Sequence, residues 1–317
     1  MKFNLSKIAF IFLLAISLQS FAQEDTEDKD DSKSNIQTYT PSKLLDKGQL
    51  DIKFFNNLYT ETEDLFGANG AKRTKPRETF FTSTLEIFTG ISDNNRLNIG
   101  LLLEYRSNVI NGKSATSVFN LGNDVNSRHG LTSIAPAIKW QPIEGIGNFS
   151  IQSAFHIPLI GQETDKGLKD AAGNVINNAV FLDQNGYTFQ NRFFYDYTLP
   201  SGDWQLFTEL NTEYHFGDKS VQDNNGNTIE GSFANNTFVL APGVFMSYFP
   251  SDKSTVLGFV QHFQRFGDFT QDFTALGFGG KYQLTDVFNL EVLYSKFVRG
   301  TATGLGQSFN IGLRALF

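Results

Sequence analysis

The chain has 317 residues, of which 33 are Phe, 28 are Gly and none is Cys, and its net charge is -7 with a pI near 5.2. The acidic balance gives no support to nucleic-acid binding, and the lack of cysteine excludes a disulfide framework, thiolate metal sites and a cysteine nucleophile. Phenylalanine at about a tenth of the chain, beside a mean hydropathy of -0.24, suits a sheet with one face in lipid and the other in water.

Residues 1–22 read as a secretory signal: Lys2 and Lys7 open it, 8–18 is its apolar centre, and Ser20 and Ala22 stand at -3 and -1 of a cut before Gln23. The apolar run is too short to span a bilayer as a helix. Residues 23–47 form a separate zone in which Glu24, Asp25, Glu27, Asp28, Asp30 and Asp31 crowd around Lys29 and Lys33. Such a stretch buries too little apolar surface to offset its ordering entropy, so it reads as a solvated linker; loose calcium binding is the other use of its acids. No further domain is expected beyond 48–317.

From Gly48 the pattern repeats. Period-two alternation marks strands at 48–60, 78–91, 96–107, 130–141, 147–159, 186–198, 203–216, 235–249, 254–266, 272–284, 287–298 and 306–317. Their connections alternate. Those at 92–95, 142–146, 199–202, 250–253 and 285–286 are short and rich in Gly, Pro, Asn, Asp and Ser, the residues of tight hairpins. Those at 61–77, 108–129, 160–185 and 217–234 are long and polar, with two briefer ones at 267–271 and 299–305. A soluble sandwich has no reason to keep that alternation. An up-and-down transmembrane barrel of about twelve strands has short periplasmic turns, long outer loops and both termini periplasmic. Closure also satisfies every backbone donor and acceptor, as hydrocarbon requires. Pro136 and Pro242, in I-A-P-A-I and L-A-P-G-V, each remove a ladder hydrogen bond and mark an expected bulge or bend.

Aromatic residues frame the strands. Trp140, Trp204, Phe149, Tyr248 and Phe288 sit beside short turns, and Tyr105, Phe155, Tyr187, Tyr214 and Tyr294 lie toward the long loops, as two interfacial girdles facing outer-membrane lipid would. In the last strand Phe309, Ile311, Leu313, Ala315 and Phe317 share one face. This ending resembles the C-terminal signal by which outer-membrane barrels engage their assembly machinery. G-Q-L-D-I-K-F-F-N-N-L-Y-T, R-E-T-F-F-T-S-T-L-E-I-F-T-G and R-L-N-I-G-L-L-L-E-Y-R-S are similar in style to a family of outer-membrane barrels of Bacteroidetes, and more loosely to transporter and phenol meta-degradation-pathway barrels. That resemblance implies outer-membrane location and passage of small molecules, and carries over no site residues.

The alternation places Asp51, Lys53, Glu86, Glu104, Arg106, Lys139, Gln152, His156, Arg192, Asp196, Glu209, Glu213, His215, His262, Lys281, Glu291 and Arg314 on the inner face, with Phe55, Phe88, Phe207, Phe245 and Phe297. Charges of both signs on facing walls suit a channel for a small polar or weakly apolar solute. The alternative is that they pair and fill a narrow barrel of structural or adhesive use. A lipid hydrolase is the rival enzyme class and needs a histidine base beside a hydroxyl. No H-x-S-N-G run occurs, and Ser153 and His156 lie on opposite faces. Glu209 and Glu213 share a face but stand about 13 Å apart along the strand, too far for a retaining pair. No enzyme activity, cofactor or metal site is expected.

Overall fold

A computed structural model of the protein describes residues 41–66, 71–122, 124–160, 180, 182, 186–217, 220–222, 228–230 and 235–317. The stretch read as a signal, and most of that read as a linker, lie outside the described residues.

The strands are β1 (Leu50–Phe66), β2 (Ala71–Gly90), β3 (Leu97–Val109), β4 (Ser127–Trp140), β5 (Phe149–Pro158), β6 (Thr188–Thr198), β7 (Trp204–His215), β8 (Ser220–Gln222), β9 (Thr228–Glu230), β10 (Thr237–Ser251), β11 (Ser254–Gly267), β12 (Gln271–Gln283), β13 (Phe288–Thr301) and β14 (Gln307–Leu316). Twelve of them close into one antiparallel barrel in which each pairs with its neighbours along the chain, and β8 and β9 form a separate hairpin within the connection from β7 to β10. The ring closes where β1 meets β14, from Asp51 against Leu316 to Thr60 against Gln307. Leu50 and Phe317 exchange both backbone hydrogen bonds, at 2.9 and 2.8 Å, so the chain enters and leaves the wall at the short-turn end.

Alternation explains the wall. Large apolar side chains such as Phe54, Ile99, Val244, Val256, Phe278, Val292 and Ile311 stand exposed on the outer face, and their strand neighbours point inward. Each of the twelve predicted strands is present. The expected loop at 61–77 is instead the end of a long hairpin in which β1 and β2 pair as far as Phe66 and Ala71. Its polarity hides the strand. Glu61 pairs with Lys75, and Asp64 accepts a bidentate contact from Arg73 at 3.1 and 2.6 Å.

The prolines leave gaps rather than bulges. Pro136 pairs in register with Leu101 of β3, while the ladder to β5 passes from Ile134 to Ala137 unshifted. Pro242 likewise pairs with Leu210 of β7, and the ladder to β11 passes from Leu240 to Gly243. A proline has no N–H to give one neighbour, and nothing else in the register has to change. Register shifts occur elsewhere, at Glu61/Glu63, Glu104/Tyr105, Tyr248/Ser251 and Thr274/Ala275.

Candidate functional site: the barrel lumen

The register settles which predicted positions face inward. Lys53 lies opposite both Glu86 and Arg314, and following the parity strand by strand puts Asp51, Glu104, Arg106, Lys139, Gln152, His156, Arg192, Asp196, Glu209, Glu213, His215, Lys281 and Glu291 on the same face. His262 is a correction. It pairs with Thr274, between the inward pairs Gln261–Ala275 and Phe263–Phe273, so it faces outward and its Nδ1 meets Thr274 Oγ1 at 3.0 Å. Polarity could not fix its side, because Gln261, His262, Gln264 and Arg265 are all polar.

The inward charges are largely paired, as the filled-barrel alternative expects. Arg314 grips Asp51 through two 2.7 Å contacts, Lys281 meets Glu291 at 3.0 Å, and Arg106 meets Glu104 at 2.8 Å. Glu213 lies 3.2 Å from His215, whose Nδ1 shares a hydrogen bond with Thr188. Arg192 on β6 donates to Glu209 on neighbouring β7 at 2.7 Å and reaches Glu86 on β2 at 3.4 Å, with three strands between β6 and β2. That contact spans the interior rather than following the wall.

Aromatic rings complete the inner surface. Phe194, Phe207, Phe245 and Phe259 run around the wall with centroids 6.0, 5.4 and 5.2 Å apart. The Phe259 ring lies on Gly277, where a Cβ would run into it, so glycine there is what lets the ring lie flat. Nearer the long loops, Phe263, Phe273 and Phe297 stack at 5.0 and 4.1 Å, and Tyr59 continues the row at 4.6 Å from Phe297. Of these rings only Phe207, Phe245 and Phe297 were among the predicted positions.

Between these walls lie cavities. One, of about 680 Å³, opens at the long-loop end and is lined by the rings of Tyr59, Phe80, Phe273 and Phe297, interleaved with Asn57, Gln261, Ser295, Ser308 and Asn310. Its volume is that of a small-molecule pocket, and its lining mixes ring faces and uncharged hydrogen-bonding groups with the charged Glu61, Asp64, Lys75 and Glu78. A second cavity of about 120 Å³ lies at the short-turn end, among Asp51, Lys53, Glu86, Lys139, Arg192, Lys281, Glu291 and Arg314.

Residues 41–49 occupy that end. Leu45 is 3% exposed and packs in one cluster with Phe88, Leu102, Ala135, Ala137 and Ala154. Its amide donates to Asn98 Oδ1 at 3.3 Å, and Lys139 donates to the carbonyl of Lys43 at 3.1 Å. The chain then turns at Gly48, with φ +86°, and enters β1. Small inward residues, Ala135 and Ala137 on β4 and Ala154 on β5, make room for the segment. At Gly90 a Cβ would strike the carbonyl oxygens of Asp46 and Leu45. The polar composition of 23–47 concealed this seat; the one sequence signal was Leu44-Leu45 just ahead of Gly48.

A hydroxyl and a histidine do meet, but not the pair tested in the sequence. Ser153 bonds Asn191 at 2.7 Å on the outer face, whereas Ser133 Oγ lies 3.2 Å from His156 Nδ1. They face a cavity of about 70 Å³ shared with Glu104, Arg106 and Glu213, far below the several hundred Å³ of an ordinary ligand pocket.

No family model matches the chain, and no curated protein matches it in sequence. Solved structures match in fold. An outer membrane channel from Pseudomonas putida F1 superposes with a TM-score of 0.64 at 12% identity, over 88% of this chain and 99% of that one. The beta domain of the Bordetella autotransporter BrkA gives 0.52 at 14% identity, over 84% and 99%. The chain therefore has the fold of bacterial outer-membrane barrels.

The outer face fits that fold. Trp140, Trp204, Phe149, Tyr248 and Phe288 all point outward near the short turns, with Trp204 and Tyr248 rings 4.8 Å apart. Toward the long loops, Phe155 stacks on Tyr187 at 5.6 Å and Tyr294 meets Phe309 at 5.4 Å. In β14 and just after it, Phe309, Ile311, Leu313 and Phe317 are exposed on the outer face. Among the described residues no helix is long and apolar enough to cross a membrane.

Proposed function

We propose that the protein is an outer-membrane channel that passes small molecules by passive diffusion, with both termini periplasmic. The observation that carries this is the 680 Å³ chamber open toward the long loops, whose rings and amides offer a solute both an apolar face and hydrogen bonds. No catalytic role is proposed for Ser133 and His156. Purified protein in planar bilayers tests the reading: discrete conductance steps are expected, and liposomes should swell with small neutral solutes. A bare-bilayer baseline in both assays, from wild type and from protein lacking residues 23–46, would falsify it.

A second reading, an occluded barrel of structural or adhesive use, draws support from one feature. Residues 41–49 and the Arg192–Glu86 contact occupy the interior. The two readings divide on whether removing the segment opens a path. We also propose that the exposed face of β14, ending at Phe317, is what the assembly machinery recognises. Deleting Phe317 should lower the amount of folded barrel in the outer membrane; an unchanged yield removes this part of the reading.

A further inference from the structure

We propose that the short-turn end of the lumen is a binding site for a small oxyanion, the carboxylate or phosphate group of a solute, with Lys53 and Lys139 as its charged ligands. The inference deepens the channel reading and rests on it only for the solute's route. Its basis is how the charges around the 120 Å³ cavity are spent. Arg314 is held by Asp51, Lys281 by Glu291, and Arg192 by Glu209 with Glu86 beside it. Two inward cations remain. Among the described residues, no carboxylate oxygen lies within 4.0 Å of the Lys53 or Lys139 ammonium.

Both ammonium groups lie against rings, and Lys139 also donates to the Lys43 carbonyl at 3.1 Å. Lys53 Nζ is 5.3 Å from the centroid of Phe55, and Lys139 Nζ is 5.4 Å from that of Phe194. The Phe194 ring also carries the Arg192 guanidinium at 5.1 Å, so two cations share one aromatic surface inside the barrel. A ring quadrupole attracts a cation weakly and cannot neutralise it. Asp51, Glu86 and Glu291 line the same cavity but touch neither ammonium, so both lysines have lost hydration without gaining a direct ion pair. An anion in the cavity that both lysines line offsets this loss. It also finds Arg192 and Arg314 already oriented by their carboxylates, as forked donors beside point charges. The cavity has room for one such group with water, and Phe88 and Phe194 in its lining are placed to flank the apolar part of whatever carries it.

The test uses full-length protein in detergent, titrated in a calorimeter with inorganic phosphate and, separately, with acetate. Saturable binding of at least one anion is expected. Lys53→Gln and Lys139→Gln should each weaken it about tenfold or more, while Lys113→Gln in an outer loop should not change it. Lys53→Met and Lys139→Met keep the test open should the amide variants not fold, as judged by heat-modifiable mobility in electrophoresis. Binding of phosphate alone assigns the site to phosphoryl groups, and binding of both assigns it to oxyanions generally. Binding of neither anion, or equal affinity in the lysine variants, overturns the proposal. No conductance is needed for this readout, so a barrel that binds phosphate without conducting refutes the channel and leaves the site standing.

Discussion

The seat of residues 41–49 can be weakened by one side chain. Leu45 is 3% exposed and packs with Phe88, Leu102, Ala135, Ala137 and Ala154 of the inner wall, and its side chain makes no hydrogen bond, so Leu45→Ala removes packing without stranding a polar group. Leu→Ala changes at buried sites cost about 2–5 kcal/mol. The lower end applies, because the segment is short and a lumen can admit water into the space left behind. About 2 kcal/mol corresponds to roughly thirtyfold in the docking equilibrium. The Leu45 amide, bonded to Asn98 Oδ1 at 3.3 Å, reports it directly. Its hydrogen-exchange protection factor, corrected for the new side chain, should fall about thirtyfold in detergent-solubilised protein. Gly90→Ala should do at least as much, since the new methyl meets the carbonyls of Asp46 and Leu45. If both variants keep wild-type protection at residues 45–49, the segment is not held by these contacts and the reasoning fails.

Gly277→Ala should destabilise the barrel by about 1–3 kcal/mol, the usual cost of overpacking, because the Phe259 ring must swing off the wall; an unchanged urea midpoint would count against ring-on-glycine packing. Arg192→Met should cost about 2 kcal/mol, at the low end for a broken pair because the lumen is partly wet. Adding Glu209→Gln and Glu86→Gln should recover most of that loss, and a triple variant no better than the single one contradicts the contact across the interior. In the loop between β3 and β4, burial pushes the Asp124 carboxyl up, but hydrogen bonds from Lys113, the Asn126 amide and Ser127 outweigh it and leave it below the ordinary aspartate value of 3.8. A depressed carboxyl contributes stability above its unfolded value and loses it as pH falls through the folded one, so the loop should hold at pH 5 and loosen only below 3.8. A carboxyl NMR titration of Asp124 with a midpoint at or above 3.8 would refute this.

The strands were legible because their signal is long and redundant: ten or more alternating residues between turns built from Gly, Pro, Asn and Asp. What escaped was local. The β1–β2 extension failed to register because ion pairs, not apolar side chains, hold it. The Ser133–His156 pair forms across β4 and β5, where Ser133 lies opposite Pro158, and a count of positions along one strand does not reveal such a cross-strand neighbour. The short β8–β9 hairpin sat inside a connection that composition marked only as polar. The inner rings Phe194, Phe259, Phe263 and Phe273 lie in strand segments where apolar or polar residues occupy both faces, as in Phe193-Phe194 and Gly258-Phe259-Val260, so alternation does not fix their side. Facing inward, they trade lipid contact for stacking on one another and on Gly277.

The near balance of inward acids and bases concealed the feature that matters most for selectivity, which is where each sign sits. Glu61, Asp64 and Glu78 line the long-loop chamber, with Lys75 engaged by Glu61 and Glu78. At the other end Lys53 and Lys139 stand without a carboxylate in contact, among acids that Arg314, Lys281 and Arg192 engage. In the proposed channel a solute would meet these fields in sequence, not as a sum, and screening at about 8–10 Å keeps the two ends of the lumen largely independent. Ion preference is then set where the passage is narrower and less hydrated, since each charge acts most strongly there. The short-turn cavity is the smaller by several-fold and is the one crowded by residues 41–49. Anion preference is therefore the expected outcome for this barrel despite its acidic mouth and its overall charge of -7.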